Sequence, residues 1–197
     1  MCRFIETIRV RGRQFYHLPY HNQRFNETRR HFFGLPEVNL ADLLTIPATL
    51  DDSVYRCRVE YAEEILQVTF LPYLPRQVKK IKMVEDNTID YSYKYACRDR
   101  LDKLFSLRGD CDEILIVKNG LITDTSIANV VFTDGCEWYT PVCPLLNGTH
   151  RRRLLDQKKI IEKKITPADL FHYTHIGLIN AMLEDFPLIP VSQIEPL

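Results

Sequence analysis

The sequence predicts an α+β fold built from two small domains, and three observations carry that expectation. Residues 113–124 read as strand, Asn-Gly turn, strand, the pattern of a tight antiparallel hairpin. Helix signals stand among such strands: 21–33 has helical character and is stopped by Gly34 with Pro36 beyond it. The chain has 197 residues, 45% of them hydrophobic, enough for a sizeable core in one domain or two small ones. The polar turn Glu85-Asp86-Asn87 places a boundary near residue 86, giving domains 1–86 and 87–197.

In chain order, 3–10 and 14–20 read as strands around Arg11-Gly12-Arg13, and 21–33 as a helix. A short helix continues at Ala41-Asp42-Leu43-Leu44. Residues 54–60 and 65–71 alternate as strands, and the chain passes through Pro72–Pro75 into extended structure at 78–84. A helix over about 96–108 ends at Gly109, followed by the hairpin at 113–124, a strand at 128–133, a helix at 149–156 and an alternating strand at 158–165. Thr166-Pro167-Ala168-Asp169 combines an N-cap residue, a proline at the first helical position and an acid at the third, which is a compact helix start. Strands at 174–181 and 188–191 finish the chain.

Composition excludes several classes. Twenty-six basic residues balance 26 acidic ones, so the overall charge favours neither nucleic acid nor an anionic membrane. The adjacent Arg151, Arg152 and Arg153 point to different sides of a helix and form no single basic patch. No run approaches the roughly 18 apolar residues of a spanning helix, and the first residues contain no secretory apolar region, so a cytoplasmic location is expected. The six cysteines (2, 57, 97, 111, 136 and 143) show no Cys-x-x-Cys spacing and read as reduced thiols, with no metal site.

Chemistry concentrates between residues 94 and 151. Lys94 lies in Tyr-Ser-Tyr-Lys-Tyr-Ala-Cys-Arg (91–98), among aromatic neighbours that would desolvate an ε-amino group, as Schiff-base chemistry requires. Asp124 ends the predicted hairpin, and Asn129 in the next apolar strand needs partners if buried. In Pro144–Leu155 an Asn-Gly pair precedes a helix beginning near Thr149 and His150. The free N–H groups and positive dipole end of such a start favour a phosphate dianion. A lysine for an aldehyde, a carboxylate for a pyridine nitrogen and a helix start for a phosphate are together the requirements of pyridoxal 5'-phosphate.

The motifs resemble the class IV aminotransferases, the fold-type IV pyridoxal-phosphate family that includes branched-chain and D-amino-acid aminotransferases and 4-amino-4-deoxychorismate lyase. Phe4–Val10 is similar to the family's Phe-Glu-Thr-Ile-Arg-Val strand, and His21-Asn22-Gln23-Arg24-Phe25 to its His-x-x-Arg-Leu helix. Residues 122–132 resemble Val-Thr-Glu-x-x-x-x-Asn-x-Phe-Phe, and Thr140-Pro141 with 146–151 resembles Thr-Pro…Leu-x-Gly-x-Thr-Arg. Ile179-Asn180-Ala181-Met182 is similar to the Asn-Ala/Ser-Leu element. The resemblance implies two small α/β subdomains of the D-amino-acid aminotransferase-like type, with the N-terminal part shortened, since Met1 stands almost at the Phe-Glu-Thr strand. It implies Lys94 as the catalytic lysine, Asp124 in place of the usual glutamate at the ring nitrogen, and Arg24, Thr149, His150, Asn180 and Ala181 near the phosphate, with Asn129 as a further cofactor-binding candidate.

Lys94-Tyr-Ala-Cys-Arg98 is similar to the Lys-x-x-x-Arg pattern of aminodeoxychorismate lyases. The resemblance therefore implies a lyase forming 4-aminobenzoate and pyruvate in the folate pathway. The alternatives are an aminotransferase of branched-chain or D-amino acids and a non-catalytic relative acting as a binding module. A small-molecule amine substrate and a homodimer are expected, with Phe15, Tyr16, Phe32 and Phe33 offering apolar surface to a second copy.

Overall fold

The computed structural model describes residues 2–197, which divide into two compact units. The first holds the chain up to Pro75 together with Tyr93–Cys97; the second holds Arg76–Ser92 and Arg98–Leu197.

In the first unit, β1 (Phe4–Arg11) turns through Gly12 and Arg13 into β2 (Gln14–Phe15). Both turn residues have positive φ, 54° and 59°, the type I′ geometry whose twist matches the flanking strands. The expected strand over 14–20 stops at Phe15, because α1 (Leu18–Phe33) begins with Pro19 in its first turn, where proline's fixed φ suits a helix and its missing N–H removes nothing. Gly34, at φ 64°, closes α1 with its N–H on the Arg30 carbonyl. α2 (Leu40–Leu43) is capped by the Asn39 side chain, which accepts from the Ala41 N–H. β3 (Tyr55–Tyr61) and β4 (Ile65–Pro72) complete an antiparallel sheet of order β2-β1-β3-β4.

Strand alternation puts Phe4, Ile8 and Val10 on one face of β1, where they pack with Phe25, Cys57, Val59 and Tyr61. Glu6 shares that face. Phe15, Phe32 and Phe33 pack against the same core, with the Phe32 ring 4.6 Å from that of Phe4, and Arg9 lies over the Tyr16 ring. Among the described residues, the large apolar side chains this unit leaves exposed are Leu43, Leu66, Leu71 and Leu74. Tyr93–Cys97 belong here because they pair with β1: the Ile5 N–H bonds to the Lys94 carbonyl at 2.9 Å and the Ala96 N–H to that of Arg3 at 2.8 Å.

In the second unit, β5 (Ile81–Glu85) runs parallel to β6 (Glu113–Lys118), and that pairing draws the segment before residue 86 into this unit. α3 (Asp99–Ser106) is shorter than the helix expected over 96–108. β6 turns at Asn119 and Gly120, both at positive φ, into β7 (Leu121–Thr125), so the Asn-Gly hairpin is as the sequence predicts. β8 (Asn129–Thr133) is buried on both faces: Val130 and Phe132 enter the main core with Ile81, Leu115, Ile122 and Ile176, while Val131 meets Leu154, Ile160 and Ile179. β9 (Trp138–Pro141) has no counterpart in the sequence expectations; its pairing with β8 and β10 makes it a strand. α4 (Thr149–Asp156) matches the expected range, while β10 (Ile161–Lys163) is the remnant of the strand expected over 158–165.

Pro167–His172 is a 3-10 helix with a capping box, Asp169 accepting from the Thr166 N–H at 2.8 Å. β11 (His175–Ile179) pairs with β8 and with β12 (Leu188–Pro190), and β13 (Ile194–Glu195) runs parallel to β5. No helix among the described residues is long and apolar enough to cross a membrane.

Candidate active site

Two groups of polar side chains stand out, one in each unit. In the first, the Glu6 carboxylate is fully buried on the apolar face of β1. Arg24, on α1, donates Nε to Oε1 at 2.8 Å and Nη2 to Oε2 at 2.6 Å, and Nδ1 of His21, one turn earlier, lies 2.6 Å from Oε2. His21 and Arg24 are three apart and share a helix face, so both reach one strand residue. Burial alone would raise the Glu6 pKa, but Arg24 and His21 outweigh it and hold the carboxyl at about 2. Burial pushes His21 below its ordinary value despite Glu6, and the charges of Arg24 and Lys94 push the same way. His21 is therefore neutral and, facing a carboxylate, donates its Nδ1–H.

Lys94 is placed by its backbone and its neighbours. Tyr95 bridges to Phe4, and the rings of Tyr93 and Tyr95 lie 6.4 Å and 5.3 Å from that of Phe4. Tyr93 also stacks on His31 at 5.0 Å. The aromatic neighbours that mark Lys94 in the sequence are thus the anchors of its segment, and the lysine itself is half-buried.

The second group is set by strand register. Asn129 pairs with Asp124 across β7 and β8 and with Ile179 across β8 and β11, so Asp124, Asn129 and the residue after β11, Asn180, fall close together. Asn129 donates its amide to Asp124 Oδ1 at 2.8 Å and to the Leu146 carbonyl at 2.7 Å, and the Leu146 N–H reaches Asp124 Oδ2 at 2.9 Å. Burial dominates the titration of Asp124 and pushes it up to about 6, against the pull of these donors and of Arg151. Gly148, just before α4, is required for space: a Cβ there would lie 2.0 Å from Asn129 Oδ1.

The start of α4 is buried at Thr149 and His150. His150 donates Nδ1–H to the Asn180 carbonyl at 2.8 Å, while the Asn180 side chain accepts from the Met182 N–H at 2.9 Å, so Asn180 closes the turn containing Ala181. The N-cap of α4 is Gly148, which offers no side-chain cap to the helix. Arg151, first of the three arginines, is buried and ties α4 to the strands beside it, giving Nη2 to the Pro141 carbonyl at 2.8 Å and to Glu162 at 2.6 Å.

Of the residues singled out in the sequence, Arg24 and Lys94 lie in the first unit, and Asp124, Asn129, Thr149, His150, Asn180 and Ala181 in the second. Sequence reasoning passed over Glu6 as a site residue. Its signal was present: one acid within the apolar stripe Phe4, Ile8 and Val10 of a strand requires a buried partner.

A family model described as amino-transferase class IV matches residues 93–194. An uncharacterised protein of Haemophilus influenzae is 37% identical over 185 residues, covering 92% of this chain and 98% of that protein. A crystal structure from Haemophilus somnus 129pt, provisionally assigned as a 4-amino-4-deoxychorismate lyase, is 35% identical with a TM-score of 0.84, covering 92% of this chain and 97% of the other. A provisionally assigned amino-acid aminotransferase from Mesorhizobium loti shares the fold at 23% identity, with a TM-score of 0.81 and full coverage of both chains.

Proposed function

This chain belongs to the class IV aminotransferase family of pyridoxal-phosphate enzymes, and we propose that it is a lyase that converts 4-amino-4-deoxychorismate to 4-aminobenzoate and pyruvate. The observation that carries the lyase reading is the likeness, at 35% identity and nearly full length, to the Haemophilus somnus protein of that provisional assignment. The Lys94-Tyr-Ala-Cys-Arg98 pattern supports it from the sequence side.

The donor set fits the cofactor. A buried carboxylate lifted to about 6 favours a cationic partner, and a protonated pyridine nitrogen is one. The start of α4, whose N-cap is the side-chain-less Gly148, suits a phosphate dianion. When bound, pyridoxal 5'-phosphate supplies an aldehyde for the substrate amine and a ring that accepts electrons from the adjacent carbon. Lys94 would hold the aldehyde, then take a proton from the carbon bearing the substrate amine and return one. Asp124 would hold the proton on the ring nitrogen, with Asn129 and the Leu146 N–H keeping its carboxylate in one orientation. Arg24 and the amides of Thr149 and His150 would anchor the phosphate.

The test is an assay of purified protein with pyridoxal phosphate and aminodeoxychorismate, scored for 4-aminobenzoate, beside a panel of amino acids with 2-oxo acids. Release of 4-aminobenzoate is expected. Amino transfer without 4-aminobenzoate would replace the lyase reading by that of an aminotransferase.

A further inference from the structure

Resting on the pyridoxal-phosphate reading, we propose that Glu6 is the positioning residue for phosphate recognition: it sets the plane of the Arg24 guanidinium and the tautomer of His21, so cofactor affinity is set through Glu6 as well as through Arg24. The geometry carries this. Two of the three Arg24 nitrogens are engaged by one carboxylate, Nε on Oε1 at 2.8 Å and Nη2 on Oε2 at 2.6 Å. Such a fork fixes a planar group, so the remaining donor directions follow from Glu6 rather than from a flexible side chain. The Arg24 side chain retains 12% exposure while Glu6 has none, so the carboxylate is the fully enclosed end of the pair. Oε2 also faces His21 Nδ1 at 2.6 Å, and since a carboxylate can only accept, that nitrogen carries the hydrogen and Nε2 is left as an acceptor.

Two effects compete in what Glu6 does to a phosphate. Its charge opposes a second anion near the same arginine, and its fork removes the ordering cost that a mobile arginine would meet on binding. Glutamine separates them poorly in charge but clearly in geometry. Its carbonyl oxygen, placed at Oε2, can still accept from Arg24 Nη2 and His21 Nδ1, but the amide nitrogen then points hydrogens at Arg24 Nε, so one arm of the fork is lost. We take orientation to dominate, because a charge-assisted fork is lost whereas the guanidinium charge remains.

The experiment pairs a readout on the wild-type protein with a comparison between it and Glu6→Gln. Nitrogen NMR of the histidine rings without cofactor should show His21 as the Nδ1–H tautomer in the wild type, and an Nε2–H tautomer there would overturn the assignment of Glu6 as its acceptor. Titration of Glu6→Gln should show affinity for pyridoxal phosphate weakened by about tenfold or more, while affinity for pyridoxal, which lacks the phosphate, changes by less than about twofold. Equal weakening towards both compounds would make Glu6 merely structural and overturn the proposal. Unchanged or tighter pyridoxal phosphate binding would overturn it too. Should Glu6→Gln not fold, Arg24→Lys keeps the charge without the fork, and the same phosphate-selective weakening is expected; wild-type affinity in that variant refutes the role of the fork. A wild-type protein that takes up no pyridoxal phosphate defeats the cofactor reading itself, whereas normal wild-type uptake with an indifferent Glu6→Gln defeats this inference alone.

Discussion

Asn129 holds Asp124 with the same amide that holds the loop before α4: its nitrogen lies 2.8 Å from Asp124 Oδ1 and 2.7 Å from the Leu146 carbonyl. The carboxylate and the loop are therefore fixed relative to each other by one side chain. Asn129→Ala is expected to cost about 1–3 kcal/mol, since it leaves two buried acceptors short of a donor. Denaturant unfolding measures the loss, and hydrogen exchange at Leu146 should quicken with it. Slow exchange retained at Leu146 would show that the loop does not depend on Asn129.

Gly148 makes this coupling testable in reverse. Gly148→Ala drives a methyl into Asn129 Oδ1, 2.0 Å from the ideal Cβ, and should destabilise by about 1–3 kcal/mol as overpacking does. Combined with Asn129→Ala the clash disappears, so the double variant should lose less than the sum of the two single losses. Strict additivity would place the strain elsewhere.

Asp124 gives a pH signature. Its folded pKa, about 6, is raised above its ordinary value of 3.8 by burial, so between these values the folded protein binds more protons than the unfolded chain. Without cofactor, stability from this group should fall as pH rises from about 4 to about 6, by about 3 kcal/mol in total. Glu6 has the opposite sign: with its folded pKa held at about 2, it stabilises above its ordinary 4.5, and that contribution is lost as pH falls towards 2. Asp124→Asn should flatten the decline between pH 4 and 6 and leave the acid-side loss intact. In the loaded enzyme the same substitution should slow proton removal about 100-fold, roughly 3 kcal/mol of transition-state stabilisation. An unchanged rate would mean that another acid serves the ring nitrogen.

Lys94 should be the lysine that becomes covalently attached to pyridoxal phosphate. The loaded protein is expected to absorb in the visible range, and borohydride reduction should fix the cofactor to a single peptide containing Lys94. A label found on Lys103 or Lys118 would move the assignment.

A homodimer is expected, with light scattering as the measurement. The first unit packs its phenylalanines into its own core yet leaves Leu66, Leu71 and Leu74 exposed along and just beyond β4, an edge strand of its sheet. A monomer with full activity at low micromolar concentration would refute the expectation.

Much of this protein was written in local sequence. Asn119-Gly120 determined a type I′ hairpin because few residues other than glycine and asparagine accept positive φ at low cost, and Gly34 ended α1 for the same reason. Thr149–Asp156 was legible as a helix and Asp124 as the acid at the end of a strand. The spacing of His21 and Arg24 placed both on one helical face. Tertiary structure decided what local pattern could not. β9 is a strand because β8 and β10 flank it, and Tyr93–Cys97 join the first unit because β1 offers unpaired backbone there. The partners of the polar groups are also long-range: Glu6 meets Arg24 across 18 residues and Asp124 meets the Leu146 N–H across 22. Periodicity can say which side of a strand or helix a charge occupies, but which donor waits in the interior depends on how distant segments pack, and that choice sets the charge on Glu6 and Asp124.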